Sequence, residues 1–193
     1  MSKTSQYTKE EITATALELV RVHGHESLTA RALSKAVGRS TSPLFTVFRN
    51  IDAIRDSVRI AAAREFEEYV SDAINYEPPF KEYGLRLIRY AMNEPNLFRL
   101  IFLTDSPVKE SVNPFALECM EEVKQQFGLK DEQRDMLLQQ VWIYACGMAM
   151  LILSGAEKYS EEEISGMLSR QFASTMMLIQ SDYRAENITP HHK

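Results

Sequence analysis

Leu28-Thr29-Ala30-Arg31-Ala32-Leu33-Ser34-Lys35-Ala36-Val37-Gly38-Arg39-Ser40-Thr41-Ser42-Pro43-Leu44-Phe45-Thr46-Val47-Phe48-Arg49-Asn50 is the stretch on which the reading of this chain turns. The Thr29 hydroxyl can accept an amide from an opened first turn, so a helix is predicted from this residue onward. Leu28 before the cap and Leu33 inside the helix are spaced to pack as a hydrophobic staple. Ala30, Leu33, Ala36 and Val37 are expected to form the buried side. Gly38 suits the left-handed position that closes such a helix. Ser40 then caps a short helix running to about Val47, with Pro43 in its first turn, where a missing N–H costs little. Leu44, Val47 and Phe48 are expected to face inward. Arg39, Ser40, Thr41, Ser42 and Thr46 leave a small, polar outer face.

Working outward, helical signals dominate the chain. Thr8 with Glu11 three residues on forms a capping box, which opens a helix over about 9–22. Ile12, Ala16, Leu19, Val20 and His23 share one face of it, and Gly24 stops it. Asn50 caps a fourth helix that can extend to Ile74, and Asp52 suits the positive end of its dipole. Pro78-Pro79 breaks the chain. Further helices are predicted near 80–93, 95–104, 109–127, 131–154 and 160–182, with Asp131 suited to a cap. The fold class is therefore all-α, with about nine helices.

Met136–Leu153 is apolar nearly all round, the mark of a helix buried on more than one side. The last helix carries one apolar stripe through Met167, Leu168, Phe172, Met176 and Ile179. These two helices hold the surface expected to join a homodimer as a four-helix bundle.

The composition bounds the partners. Of 193 residues, 45% are hydrophobic, which is enough for a core, and the net charge is −5. The charge is unevenly placed. Residues 1–60 carry net +3 and residues 61–193 net −8, a basic head on an acidic body. No signal-peptide pattern and no run of about 18 apolar residues is seen, so a cytoplasmic chain that crosses no membrane is expected. Cys119 and Cys146 have neither metal-ligand spacing nor a disulfide pattern. No cofactor is expected. Gly-rich phosphate loops and the common hydrolase and metalloprotease motifs are missing, so no enzyme is expected.

Three short helices within fifty residues, the second and third joined by Val37-Gly38-Arg39-Ser40, make a helix-turn-helix. In such a unit the second helix braces across the phosphate backbone and the third presents its outer face to the major groove. Residues 8–58 resemble the DNA-binding region of the TetR (tetracycline-repressor) family in length and order without a gap. The matching features are Leu28-Thr29, Arg31, Leu33, Val37-Gly38, Ser40, Phe48 and Ile54. Two positions depart from that family's pattern. Phe45 stands where a phosphate-binding Tyr is usual, and Ile51 where a Lys is usual. Asn93–Phe102 resembles a Pro-Glu-Leu-Phe-Arg stretch of TetR-like C-terminal domains. Val141–Ala149 resembles a Trp-bearing helix of one subgroup, with Cys146 where His is usual.

The resemblance implies a DNA-binding head over 1–50 and an effector-binding and dimerisation domain over 51–193, linked through helix 50–74. The residues expected at DNA are Thr29, Arg31, Arg39, Ser40, Thr41, Ser42, Phe45, Thr46, Arg49 and Asn50. Arg31 has a guanine edge as its target, with a phosphate contact or a solvated surface position as the alternative. Arg39 and Arg49 are assigned to phosphates, because most protein–DNA hydrogen bonds go to the backbone. The expected partners are a near-palindromic double-stranded operator, a second copy of the chain, and a small apolar or amphipathic effector. Tyr90, Phe98, Phe102, Trp142, Tyr144 and Cys146 are candidates for lining the effector pocket, with ordinary core packing as the alternative. A regulator without a small-molecule ligand, whose C-terminal body only dimerises or binds a protein, fits the sequence as well.

Overall fold

The structure is a computed structural model, and it describes residues 7–38, 41, 44–104 and 114–181. The described residues form helices and turns and contain no strand. In chain order the helices are α1 (Lys9–His23), α2 (Ala30–Val37), α3 (Leu44–Val47), α4 (Ile51–Ser71), α5 (Pro79–Asn93), α6 (Pro95–Phe102), α7 (Pro114–Phe127), α8 (Asp131–Leu153) and α9 (Glu161–Gln180). Short 3-10 turns lie at His25–Ser27 and Asp72–Asn75.

Local chemistry sets the helix starts. The Thr8 hydroxyl accepts from the Glu11 amide at 3.1 Å, and the Glu11 carboxylate accepts from the Thr8 amide at 2.9 Å. Thr29 accepts from Ala32 at 3.2 Å and Asn50 from Ala53 at 2.9 Å. Ser160 and Glu163 close a second capping box at α9. At α8 the cap position is Lys130 and not Asp131, which falls one residue inside the helix. The Gln133 side chain accepts from the Lys130 amide at 2.9 Å. An acidic residue inside the first turn still favours the helix dipole.

Some expected faces shift. On α1 the buried residues are Ile12, Ala16, Leu17 and Val20, while His23 is exposed. On α2 Ser34 is buried and Ala36 is exposed. The buried face there follows 30, 33, 34 and 37, the i, i+3, i+4, i+7 rule, and Ala36 lies to one side of it. Helix α4 ends at Ser71, short of Ile74, because its last turn tightens into the 3-10 turn ahead of Pro78-Pro79. The start expected for the seventh helix, 109–113, lies outside the described residues.

The chain packs as two compact units. One draws on Met1–Asp72 and Arg89–Phe115, the other on Ala73–Ile88 and Ala116–Lys193. This packing division runs elsewhere than the functional boundary expected at residue 50, because α4 and α6 share a core with α1. In the first unit Ile12, Val20, Leu33, Ile54, Phe66, Leu97 and Phe98 are fully buried. In the second, α8 packs against α9 around Leu137, Ala149, Ile164 and Leu168. Helix α8 is long and apolar enough to cross a membrane by length and composition. Its partner α9 covers one face of it. The other face leaves Met136, Ile143 and Met150 exposed at seven-residue intervals, alongside exposed Gln139 and Gln140.

Candidate nucleic-acid interface and ligand cavity

The α2–α3 unit is anchored from below. Leu28, Leu33, Leu44 and Phe48 are buried beneath it. Gly38 closes α2 at φ 75°, ψ 24°, in the left-handed region, where a Cβ is strained. Two further contacts pin the turn, and neither was visible in the sequence pattern. The Tyr7 hydroxyl donates to the Val37 carbonyl at 2.8 Å. Arg55 on α4 pairs with Asp52 at 2.9 Å and donates to the Leu28 carbonyl at 3.2 Å, directly before the α2 cap.

The outer surface of the unit is as expected at the positions the structure describes. Thr29, Arg31, Thr41, Phe45, Thr46, Arg49 and Asn50 are exposed. Arg39, Ser40 and Ser42, together with Pro43, lie outside the described residues. Among the described residues no carboxylate pairs with Arg31, Lys35 or Arg49. Three unneutralised cations thus stand on one small subdomain, which suits a polyanion. Phe45 is 42% exposed although wholly apolar. Asn50 commits its side-chain oxygen to capping α4, which leaves its amide N–H groups to donate elsewhere.

Behind the unit, Arg21 on α1 gathers three carboxylates: Glu18 at 2.9 Å, Glu65 of α4 at 2.6 Å and Glu94 at the start of α6 at 2.6 Å. The Asn96 side chain donates to the Arg21 carbonyl at 2.9 Å. Burial opposes the charge on Arg21, but the hydrogen bonds it donates to Glu94, Glu65 and Glu18 outweigh it and hold the guanidinium above its ordinary pKa. This junction ties α1, α4 and α6 together.

Of the six candidate pocket residues, Tyr90, Phe98 and Phe102 belong to the first unit and Trp142, Tyr144 and Cys146 to the second. Tyr90, Phe98 and Phe102 converge on Phe66. Tyr90 and Phe102 each meet its ring edge-on at 5.1 Å, and Phe98 lies 4.6 Å from Phe102. Burial, then Glu65 and Glu94, push the Tyr90 phenol up. Trp142 packs on Tyr83 at 6.0 Å, while Tyr144 and Cys146 are half-buried on α8. The second unit holds a cavity of about 580 Å³ lined by other residues: the segment 74–81, then Val123 and Phe127 of α7, Val141 of α8, and Leu168 and Phe172 of α9. Its signal in the sequence was weak, since Phe172 reads as part of the apolar stripe of the last helix and no motif marks Phe80 or Phe127.

The two thiols are chemically quiet. Cys119 is pushed up to about 12 by burial and then by Glu118 and Glu122, and Cys146 to about 12 by burial. Neither is therefore expected to react with Ellman's reagent in the folded chain at neutral pH, and both are expected to react after denaturation. Unfolded thiols ionise near 9.0, well below the folded ones. The thiols' contribution to stability is thus complete below pH 9 and declines as pH rises from there toward 12, which urea titrations across that range measure.

No protein-family model matches the sequence, and no curated protein matches it. Solved structures do match. A TetR variant from Acinetobacter baumannii AYE, crystallised in complex with minocycline, superposes with TM-score 0.65 over 97% of this chain and 100% of that one, at 20% identity. The chain has the TetR fold. A member of the TetR family from Streptomyces coelicolor A3 matches with TM-score 0.55 over 84% of this chain and 96% of that one, at 17% identity. At these identities the likeness is one of backbone course. This chain spans the full length of the first of these structures.

Proposed function

We propose that this chain is a DNA-binding transcriptional regulator of the TetR family, a cytoplasmic, non-enzymatic homodimer that represses by occupying a near-palindromic operator and leaves it when a small molecule binds. The observation that supports this most is the α2–α3 unit. Its inner residues are buried, its outer face is short and polar, and Arg31, Lys35 and Arg49 stand exposed without ion-pair partners.

One recognition helix reads only a few base pairs, so specificity calls for two, placed roughly 34–36 Å apart by a dimer. The exposed stripe of Met136, Ile143 and Met150 on α8, with Met177 and Leu178 on α9, is where two copies meet as a four-helix bundle. The fold match to a drug-bound TetR supports a small-molecule effector by analogy of architecture.

Phe45 and Ile51 cannot donate hydrogen bonds to phosphate, so Arg49 and Asn50 take over the anchoring at the start of α4. Anisotropy titrations against a duplex selected from a random pool, and against unselected DNA, test this. Arg49→Ala is expected to weaken both about tenfold and to lower the salt slope by about one, because a charge-assisted contact is worth roughly 1.5–3 kcal/mol. Thr41→Ala is expected to weaken the selected duplex more than the unselected one. A parent chain that binds both duplexes equally would count against sequence-specific regulation.

A further inference from the structure

We propose that the 580 Å³ cavity of the second unit binds an aromatic organic cation. This deepens the effector-responsive reading and rests on it, naming the site and the class of ligand. The volume falls within the range of roughly 300–1,000 Å³ that drug-sized molecules occupy.

The wall is aromatic. Phe172 stands between Phe80 and Phe127, with ring centroids 6.4 Å away on either side. The tilts are 49° and 60°, so no ring covers another's face completely. Aromatic faces carry the negative side of the ring quadrupole and attract cations. This wall already seats one, since the Arg86 guanidinium lies 5.2 Å from the centre of the Tyr76 ring, which also lines the cavity.

The charges point the same way. The ionic side chains lining the cavity are Glu77, Glu122 and Lys81, and among the described residues none of them is in an ion pair. Glu77 and Glu122 are exposed and Lys81 is half-buried, so the lining carries one net negative charge. Residues 73–88 and 116–193 together hold nine Lys and Arg against fourteen Asp and Glu, so the surrounding field is negative too. An anion entering here meets two unpaired carboxylates, and a cation is drawn in by them. The chain enters this wall directly from the 3-10 turn that follows α4. An occupant that reorders residues 74–79 therefore acts on the stretch of chain leaving α4.

The test uses the full chain without DNA. Thioflavin T, a flat benzothiazolium cation, is titrated by its fluorescence enhancement, with the anion 1-anilinonaphthalene-8-sulfonate in parallel. Thioflavin T is expected to bind at one site per protomer and more tightly than the sulfonate. The surface double variant Glu77→Gln, Glu122→Gln is expected to weaken the cation roughly five- to tenfold and to leave the sulfonate unchanged or tighter. Phe172→Ala is expected to weaken the cation as well, with retained helicity checked by circular dichroism.

Tighter binding of the sulfonate, or a cation affinity indifferent to the two glutamates, overturns the proposal. DNA titrations of the same samples separate the two readings. Cation binding without operator binding leaves this site standing and removes the regulator. Operator binding without cation binding does the reverse.

Discussion

Replacing Phe66 by alanine is expected to cost about 3–5 kcal/mol of stability, the largest single loss available in the first unit. Phe66 is fully buried on α4, and its ring is the hub on which Tyr90 and Phe102 close edge-on. Such edge contacts add roughly 0.5–1.5 kcal/mol to the burial itself. The neighbouring small residues on the same helix, Ala62 and Ala63, are buried and have no side-chain reach with which to fill the hole. Urea titrations followed by far-UV circular dichroism measure the loss. Phe66→Leu, which keeps most of the volume, is expected to retain more than half of the stability that alanine forfeits. A loss below about 1 kcal/mol for alanine would show that the ring cluster is an open site and not a packed core.

Replacing Ile143 by glutamate is expected to turn the proposed dimer into monomers and to weaken operator binding on the order of a hundredfold. Ile143 is 59% exposed at the centre of the α8 stripe, and Met177 is 71% exposed on α9. Residues of this kind, left in water by the single chain, are what a partner copy would cover. In a two-fold interface each substitution appears twice, so two carboxylates would be buried without partners, at several kcal/mol. The folded single chain bears the same residue in solvent, so its helicity is expected to change little, while the thermal midpoint falls by what dimerisation had contributed. Light scattering reads the assembly, and anisotropy titrations read the DNA. A parent chain that is already monomeric at micromolar concentration, or an Ile143→Glu chain that remains dimeric, would place the interface elsewhere.

Much of the fold was legible because its signals are local. Caps at Thr8, Thr29 and Asn50 depend on a hydroxyl or amide oxygen within three residues of the amide it satisfies. Gly38 reads as a helix end because the left-handed backbone excludes most other side chains. Those marks lie in one stretch of chain, so order and spacing suffice to recover the α2–turn–α3 unit. Burial face was less secure. Ser34 goes inside and Ala36 outside, because a short helix presents a narrow face and residue type is a weak guide to which side it takes.

The ligand side shows where sequence stops. Tyr90, Phe98 and Phe102 carry the chemistry of a pocket wall, yet they close on Phe66 in the packed structure. A cavity of the second unit opens beside Phe80, Phe127 and Phe172. Aromatic residues that fill a core and those that surround a void have the same composition. The difference lies in whether volumes from distant segments sum to the space between them.

By itself the sequence determined an all-helical chain, the caps at Thr8, Thr29 and Asn50, the helix end at Gly38, the helix-turn-helix in its first fifty residues, and the likeness to TetR proteins. These rest on hydrogen bonds and apolar periodicity within a few residues, which the order of amino acids states directly. Only the tertiary structure decided which faces are covered, where the cavity lies, and how Arg21 joins Glu65 and Asn96, 44 and 75 residues away. Those contacts exist because packing brings separate helices within a few ångströms, and a linear pattern holds no record of that distance.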